Sequence, residues 1–393
     1  MKILRIVSSG FEEGGVENGI VLMQPVLEKM GHEVRTIASD RRMDLPRFDS
    51  YTFKSIKTSG FSKYIYNAFN PHSFFLLKKV LKEYRPDIVQ LHTMGQVSPS
   101  VLFALKHTPT VLTIHGPEAF TKGLLLWYLP TTDFKDHSHD AKQLTFAGSM
   151  RLFYHRFISG TLYRMGMKHV DVTIVFSRYM QRLMQKEHII TRYVPNGTVL
   201  LEQRPITNTK TISFVGRLEK FKGVDYLLRA LPAIVKKFPE VHLVIAGDGS
   251  YRTELEALAR ELNIMDNVSF RGHLSKEKIR EMYRDATLLI MPSIWPEAFG
   301  KVGIEAMSVG RPVIAADVGG ISDWLIDGEV GYLVPPKDPA AITEKVITLF
   351  SDEALLKTMS EKARRQSEKF SIESHTEKIL EVYNEVIKKY KTS

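Results

Sequence analysis

The chain of 393 residues contains no cysteine, which excludes a disulfide framework, a thiolate metal site and a thiol nucleophile together. A chain without thiols fits a reducing compartment. No stretch reaches the roughly 18 apolar residues of a membrane span. The opening MKILRIVSSG alternates like a first β-strand and meets Glu12 and Glu13 too soon for a secretory leader. The expected location is therefore the cytoplasm, with the inner face of a membrane as the alternative. Neither a Walker P-loop nor a complete G-x-G-x-x-G occurs, which argues against an NTPase or a nicotinamide enzyme.

What is present is the composition of a globular protein, 44% hydrophobic and 25% charged, in a chain too long for one ordinary core. Two domains of just under 200 residues follow as the expectation. The net charge of +10 is one-sided: residues 1–200 hold 26 basic and 16 acidic residues, whereas 201–393 hold 28 of each. The basic half draws anionic substrates, polyanions or lipid surfaces, or else is a solvated face. No nucleic-acid reader motif accompanies the charge, so nucleic acid is not an expected partner.

Short apolar runs alternate with helix-length amphipathic segments, the pattern of doubly wound parallel sheets. Strands are predicted at 3–8, 33–38, 87–92, 110–115 and 172–176, with helices after Gly15, Pro71, Val97, Met150 and Ser177. The plan then repeats. Strands at 211–215, 241–246, 268–271, 287–291, 312–315 and 331–334 alternate with helices after Gly223, Tyr251, Ser275, Gly300, Ile321 and Pro339. The polar stretch 201–210 marks the boundary, giving Rossmann-like domains at 1–203 and 204–371 and a last helix, 372–393, crossing back to the first. Residues 116–150 form an insertion longer than an ordinary βα loop and include the apolar GLLLWYLP, 123–130.

The densest signal is PEAFGKVGIEAMSVGRPVIAADVGG, 296–320. Gly300 marks where a loop yields to a helix, whose first turn leaves free amides and the positive end of the helix dipole. Such an end suits a phosphate, and glycine lets the backbone approach it. Glu297 and Glu305 flank that point and can accept hydrogen bonds from sugar hydroxyls. A capped helix carrying surface glutamates is the alternative at this stage.

This Glu, Gly, Glu spacing, followed by GRPVIAADVGG, resembles the donor site of glycosyltransferase family 4 and its GT-B relatives. FVGRLEKFKG, AGDGS, RGHLS and VPNG match further blocks, and EEGGVE resembles the glycine-rich first loop. The resemblance implies an α/β GT-B fold, two Rossmann-like doubly wound domains facing a central cleft. It implies a retaining hexosyltransferase that moves a sugar from a UDP- or GDP-linked donor to a hydroxyl of a saccharide or lipid-linked acceptor. In the family Arg217 and Lys222 correspond to the pair that neutralises the leaving diphosphate, Glu297 to the residue that holds the donor sugar, and Glu305 to the one that holds the ribose. His115 corresponds to a histidine beside the transferred sugar. Gly14 and Gly15 would offer amides to the phosphates, as would the backbone from Phe299 and Gly300 through Lys301 and Val302. Gly216, Gly247 and Asn196 belong to the matching blocks. Gly272, His273 and Leu274 would face the base, read by backbone.

No cofactor and no metal are expected, because the chain lacks the Asp-x-Asp pair of metal-dependent transferases of the other major fold. DHSHD, 136–140, has metal-ligand residue types in one stretch without a partner. Two positions depart from the pattern: Asp323 stands where many relatives have Glu, and Val199 where many have Asp. The acceptor half carries the net charge, so an anionic or lipid-linked saccharide and a peripheral membrane contact through 123–130 and 151–169 are expected, with ordinary packing of both segments as the alternative. A sugar-nucleotide epimerase, a glycoside phosphorylase or a non-catalytic binder on the same fold stays open, because fold does not fix chemistry.

Overall fold

A computed structural model describes residues 1–11, 15–41, 43–55, 66, 68–92, 97–115, 160–186, 188–202, 204–206 and 209–392. They form two compact units, one of Met1–Phe176, Gln181–Val194 and Thr376–Ser393, the other of Ser177–Met180 and Pro195–His375.

The first unit runs β1 (Lys2–Ser9), α1 (Gly15–Lys29), β2 (Glu33–Ser39), β3 (Tyr51–Phe53), α2 (Pro71–Tyr84), β4 (Ile88–His92), α3 (Ser100–Ala104), β5 (Thr110–Ile114), α4 (Gly160–Met167), β6 (Val172–Val175), α5 (Arg178–Lys186), whose start as far as Met180 belongs to the second unit, and β7 (Thr191–Tyr193). Its strands pair in parallel in the order β3-β2-β1-β4-β5-β6-β7. Every residue of β4 and β5 is buried, as expected where helices cover both faces of a parallel sheet. Local chemistry sets the helix ends. Asn70 caps α2 by accepting from the amides of His72 at 3.0 Å and Ser73 at 3.3 Å, Pro71 supplies the first-turn φ, and Arg85 closes the helix in the left-handed region.

The second unit runs β8 (Thr211–Val215), α6 (Val224–Lys237), β9 (His242–Ala246), α7 (Arg252–Glu261), β10 (Val268–Phe270), α8 (Lys276–Asp285), β11 (Leu288–Met291), α9 (Lys301–Ser308), β12 (Val313–Ala316), β13 (Gly331–Val334), α10 (Pro339–Ser351) and α11 (Glu353–Glu368). The parallel order is β10-β9-β8-β11-β12-β13. Ile212, Phe214, Leu243, Ile245, Leu288 and Ile290 from its strands meet Leu227, Leu231 and Ile234 of α6 in one core. The last helix, α12 (Ile372–Thr392), lies in the second unit as far as His375 and in the first from Thr376 onward. There the buried Tyr383 hydroxyl donates to Gln90 of β4 at 2.5 Å.

Several elements differ from the sequence expectation. β3 and β7 were not foreseen: each is a three-residue sheet edge, too short to carry an apolar period. The helix expected after Ile321 is a single 3-10 turn, Ile321–Asp323. Trp324 is fully buried there, and Gly328 turns the chain at a φ of 72°, so no length remains for a helix. The predicted last helix of the second domain is two, because Asp352 starts α11 by capping the Leu355 amide at 2.9 Å. α4 begins at Gly160, whereas the expectation placed a helix after Met150; 151–159 fall outside the described residues, as do 123–130 and 136–140. Among the described residues no helix is long and apolar enough to cross a membrane.

Candidate active site

The strand order of the second unit reverses between β8 and β11, and the loops leaving the carboxyl ends of such a pair diverge to open a crevice. Gly216, Arg217 and Lys222 lie on the loop after β8. Gly223 ends that loop at a φ of 66°, and a Cβ there would run into the carbonyl oxygen of Pro292, so only glycine lets the loop lie against the segment after β11. The amide of Ile294 donates to Phe221 at 2.9 Å and locks the two loops together.

That contact delivers Lys222 to Glu297. The ammonium donates to Oε1 at 2.6 Å, and the buried Ser293 hydroxyl donates to the same oxygen at 2.6 Å. The paired side chains are 21% and 16% exposed, shielded enough for the charges to act strongly and open enough to meet a ligand. The exposed Arg217 guanidinium lies 5.3 Å from the Phe221 ring centroid and the Lys222 ammonium 5.7 Å from it, so one ring supports both cations. The Glu297 backbone is held as well: its carbonyl accepts from Gly320 at 2.8 Å, and Gly319 stands opposite it at a φ of 63° where a Cβ would strike it.

α9 starts directly beyond. Gly300 is its N-cap at a φ of 86° and no side chain caps the helix, which leaves first-turn amides, including those of Lys301 and Val302, to a ligand or water. Phe299 is core: it is buried and packs edge-on to Phe370 at 5.7 Å, and its carbonyl accepts from the Trp324 indole at 2.5 Å. A ligand therefore meets Phe299 through its backbone.

One turn into α9, Glu305 accepts from the Thr198 hydroxyl at 3.4 Å on Oε1 and from the Tyr283 hydroxyl at 3.2 Å on Oε2. Burial pushes the Tyr283 hydroxyl well above the ordinary tyrosine range, and Glu305 adds to the effect; the phenol stays protonated and keeps donating. Lys301 precedes Glu305 by four residues on the same helix face. Its ammonium is buried, and no described residue bonds to it. Burial holds it below the ordinary lysine range, opposed by Glu305 and reinforced by Lys276.

The Gly247 amide donates to Gly272 at 2.8 Å, so the ends of β9 and β10 are bridged beside the β8 loop. The Gly216 amide donates to Ala246 at 3.0 Å. His273 is exposed and Leu274 half-buried, just before Ser275, which caps α8. Asn196 is half-buried and accepts from the Gly197 amide at 2.9 Å. Asp323 accepts from the Arg178 amide at 2.6 Å, and Val199 is half-buried.

In the first unit, His115 lies one residue past β5. Its Nε2 is 2.9 Å from Nδ1 of His92, the last residue of β4, and its ring meets Phe176 edge-on at 5.1 Å. Gly15 opens α1, and Gly14 falls outside the described residues. Sequence reasoning missed His92, Thr198, Tyr283 and Ser293. The first three meet their partners only through the fold, and a lone serine before Glu297 carries no signal. Among the described residues no three His, Asp or Glu side chains gather as a metal site.

Two cations beside an uncapped helix end, with carboxylates on either side, suit a sugar linked to a diphosphate. Comparison with known proteins agrees in kind. Residues 13–200 match the family model described as Glycosyltransferase Family 4, and 200–366 match Glycosyl transferases group 1. A D-inositol 3-phosphate glycosyltransferase of Streptomyces avermitilis is 37% identical over 179 residues, 43% of this chain and 38% of that protein; the chain thus spans less than half the length of this relative. A phosphatidyl-myo-inositol mannosyltransferase of Mycobacterium leprae is 26% identical over 90% of this chain and 89% of its own. The fold is that of the sucrose-phosphate synthase of Thermosynechococcus elongatus, with a TM-score of 0.75, 21% identity and 98% of both chains covered. It is also that of an Anabaena protein solved with UDP and glucose, with a TM-score of 0.70, 18% identity and coverage of 98% and 100%. With adjoining family models that together run from residue 13 to 366, and with this fold, the chain belongs to glycosyltransferase family 4, of the GT-B type.

Proposed function

We propose that the protein is a retaining hexosyltransferase that takes a UDP- or GDP-linked sugar as donor and a hydroxyl of a saccharide or lipid-linked saccharide as acceptor, without a metal ion. The observation that carries the reading is the Lys222–Glu297 bond at 2.6 Å beside the uncapped end of α9. In this reading the bond between the anomeric carbon and the β-phosphate oxygen breaks first, and charge grows on the leaving diphosphate. Arg217, Lys222 and the amides of Gly300, Lys301 and Val302 meet that charge, which is what a metal supplies in other transferases. Glu297 holds hydroxyls of the sugar, and its bond to Lys222 fixes it relative to the phosphate. Glu305 takes the ribose hydroxyls, with Thr198 and Tyr283 orienting it.

The acceptor oxygen then bonds to the anomeric carbon on the face the diphosphate leaves, and its proton passes to a β-phosphate oxygen. Configuration is retained. His115, held by His92, serves the transferred sugar in the first unit, and the excess charge of residues 1–200 favours an anionic acceptor. The test is product analysis with UDP- and GDP-hexoses, chelator present, against free and lipid-linked saccharides. An α-linked product from an α-linked donor is expected. A β-linked product, sugar phosphate formed from inorganic phosphate, or donor epimerised without acceptor overturns the reading.

A further inference from the structure

Lys301 breaks three local rules at once. It is the first residue of α9, where the helix dipole disfavours a cation. Its ammonium is buried, and no described residue bonds to it; a buried charge without hydrogen bonds is costly. The charged group that attracts it, Glu305, stands one turn C-terminal, the weaker orientation for such a pair. Methionine or leucine would fill the same space without any of these costs. Residues that violate local rules without a structural gain concentrate where a ligand supplies the missing partner.

The surroundings identify the ligand. Lys301 shares a helix face with Glu305 and feels Lys276 at the start of α8, directly after the segment 272–275. We propose that the Lys301 ammonium donates to an acceptor oxygen of the donor's nucleoside, so that Lys301 with Glu305 reads the nucleoside and not the terminal phosphate. This rests on the nucleotide-sugar reading and adds to it a side chain that fixes affinity for the nucleotide.

Wild type, K301M and K301R are compared by thermal unfolding without ligand and by calorimetric titration with UDP, GDP and ADP, then with the monophosphate of whichever binds. The expected K301M protein unfolds about 2–4 °C higher without ligand, because a buried unbonded charge is gone. It binds the diphosphate and the monophosphate about tenfold more weakly, and K301R recovers part of the loss. A lower unfolding temperature makes Lys301 structural and overturns the proposal, as does unchanged affinity. A loss seen with the diphosphate and not the monophosphate assigns Lys301 to the terminal phosphate and overturns it too. A wild type that binds none of the three nucleotides refutes the nucleotide-sugar reading and this proposal with it.

Discussion

Lys222 and Glu297, 75 residues apart in the chain, meet at 2.6 Å because Gly223 lets the loop after β8 rest on the loop after β11. In the proposed function the pair divides two tasks, a cation for a phosphate and a carboxylate for a sugar. K222M and E297Q are each expected to lower transfer about 100-fold or more, the scale of losing a charge that acts in the transition state. Each also costs about 1–2 kcal/mol of stability by stranding its partner, and the double variant costs less than the sum. Steady-state rates beside urea unfolding of the three variants check both parts.

His92 Nδ1 lies 2.9 Å from Nε2 of His115 and orients that ring. H92N keeps a polar atom near the position of Nδ1 and should retain activity within about threefold, whereas H92F should lose about tenfold. In an H115A background the two variants should be indistinguishable. Equal loss in H92N and H92F beside His115 would assign His92 to packing alone.

Asp323, one methylene shorter than the glutamate many relatives carry there, accepts from the first amide of α5 at 2.6 Å. It therefore acts as a cap supplied from a distant segment. D323A should lower stability by about 1 kcal/mol, the usual worth of such a cap, with the change read from denaturant midpoints. Unchanged midpoints would show that water replaces the carboxylate at this exposed helix start.

Lys301 makes stability depend on pH with a definite sign. Its folded-state pKa is depressed below the ordinary 10.5, so between the two values the unfolded chain binds the extra proton and stability rises with pH. The stabilisation of K301M over wild type is therefore full below the folded-state pKa and shrinks as pH climbs from there toward that ordinary value. Paired melting curves across alkaline pH check this; a constant difference would contradict it.

Residues close in sequence were the legible ones. Glu297, Gly300 and Glu305 lie within one loop and helix start, so their spacing could carry the family resemblance that singled them out, and the buried runs of β8 and β11 announced the strands that carry the loops. What sequence could not supply were partners brought by topology: Tyr283 reaches Glu305 from α8, and Thr198 reaches it from a segment 107 residues away. β3 and β7 escaped because a three-residue edge buries too little to impose a period. The expected helix after Ile321 failed because Trp324, buried against Gly303 and bonded to Phe299, claims that segment for the site's own support.

The central claim is that the second unit holds a nucleoside diphosphate between the cations of the β8 loop and Glu305. The direct measurement is the thermal shift of wild type and E305A with UDP, GDP and ADP and their hexose conjugates, with chelator present. The account predicts that one nucleotide family stabilises wild type by a few degrees at concentrations far above its Kd, and that E305A loses most of that shift. No shift with any of them, or an equal shift in E305A, would contradict it.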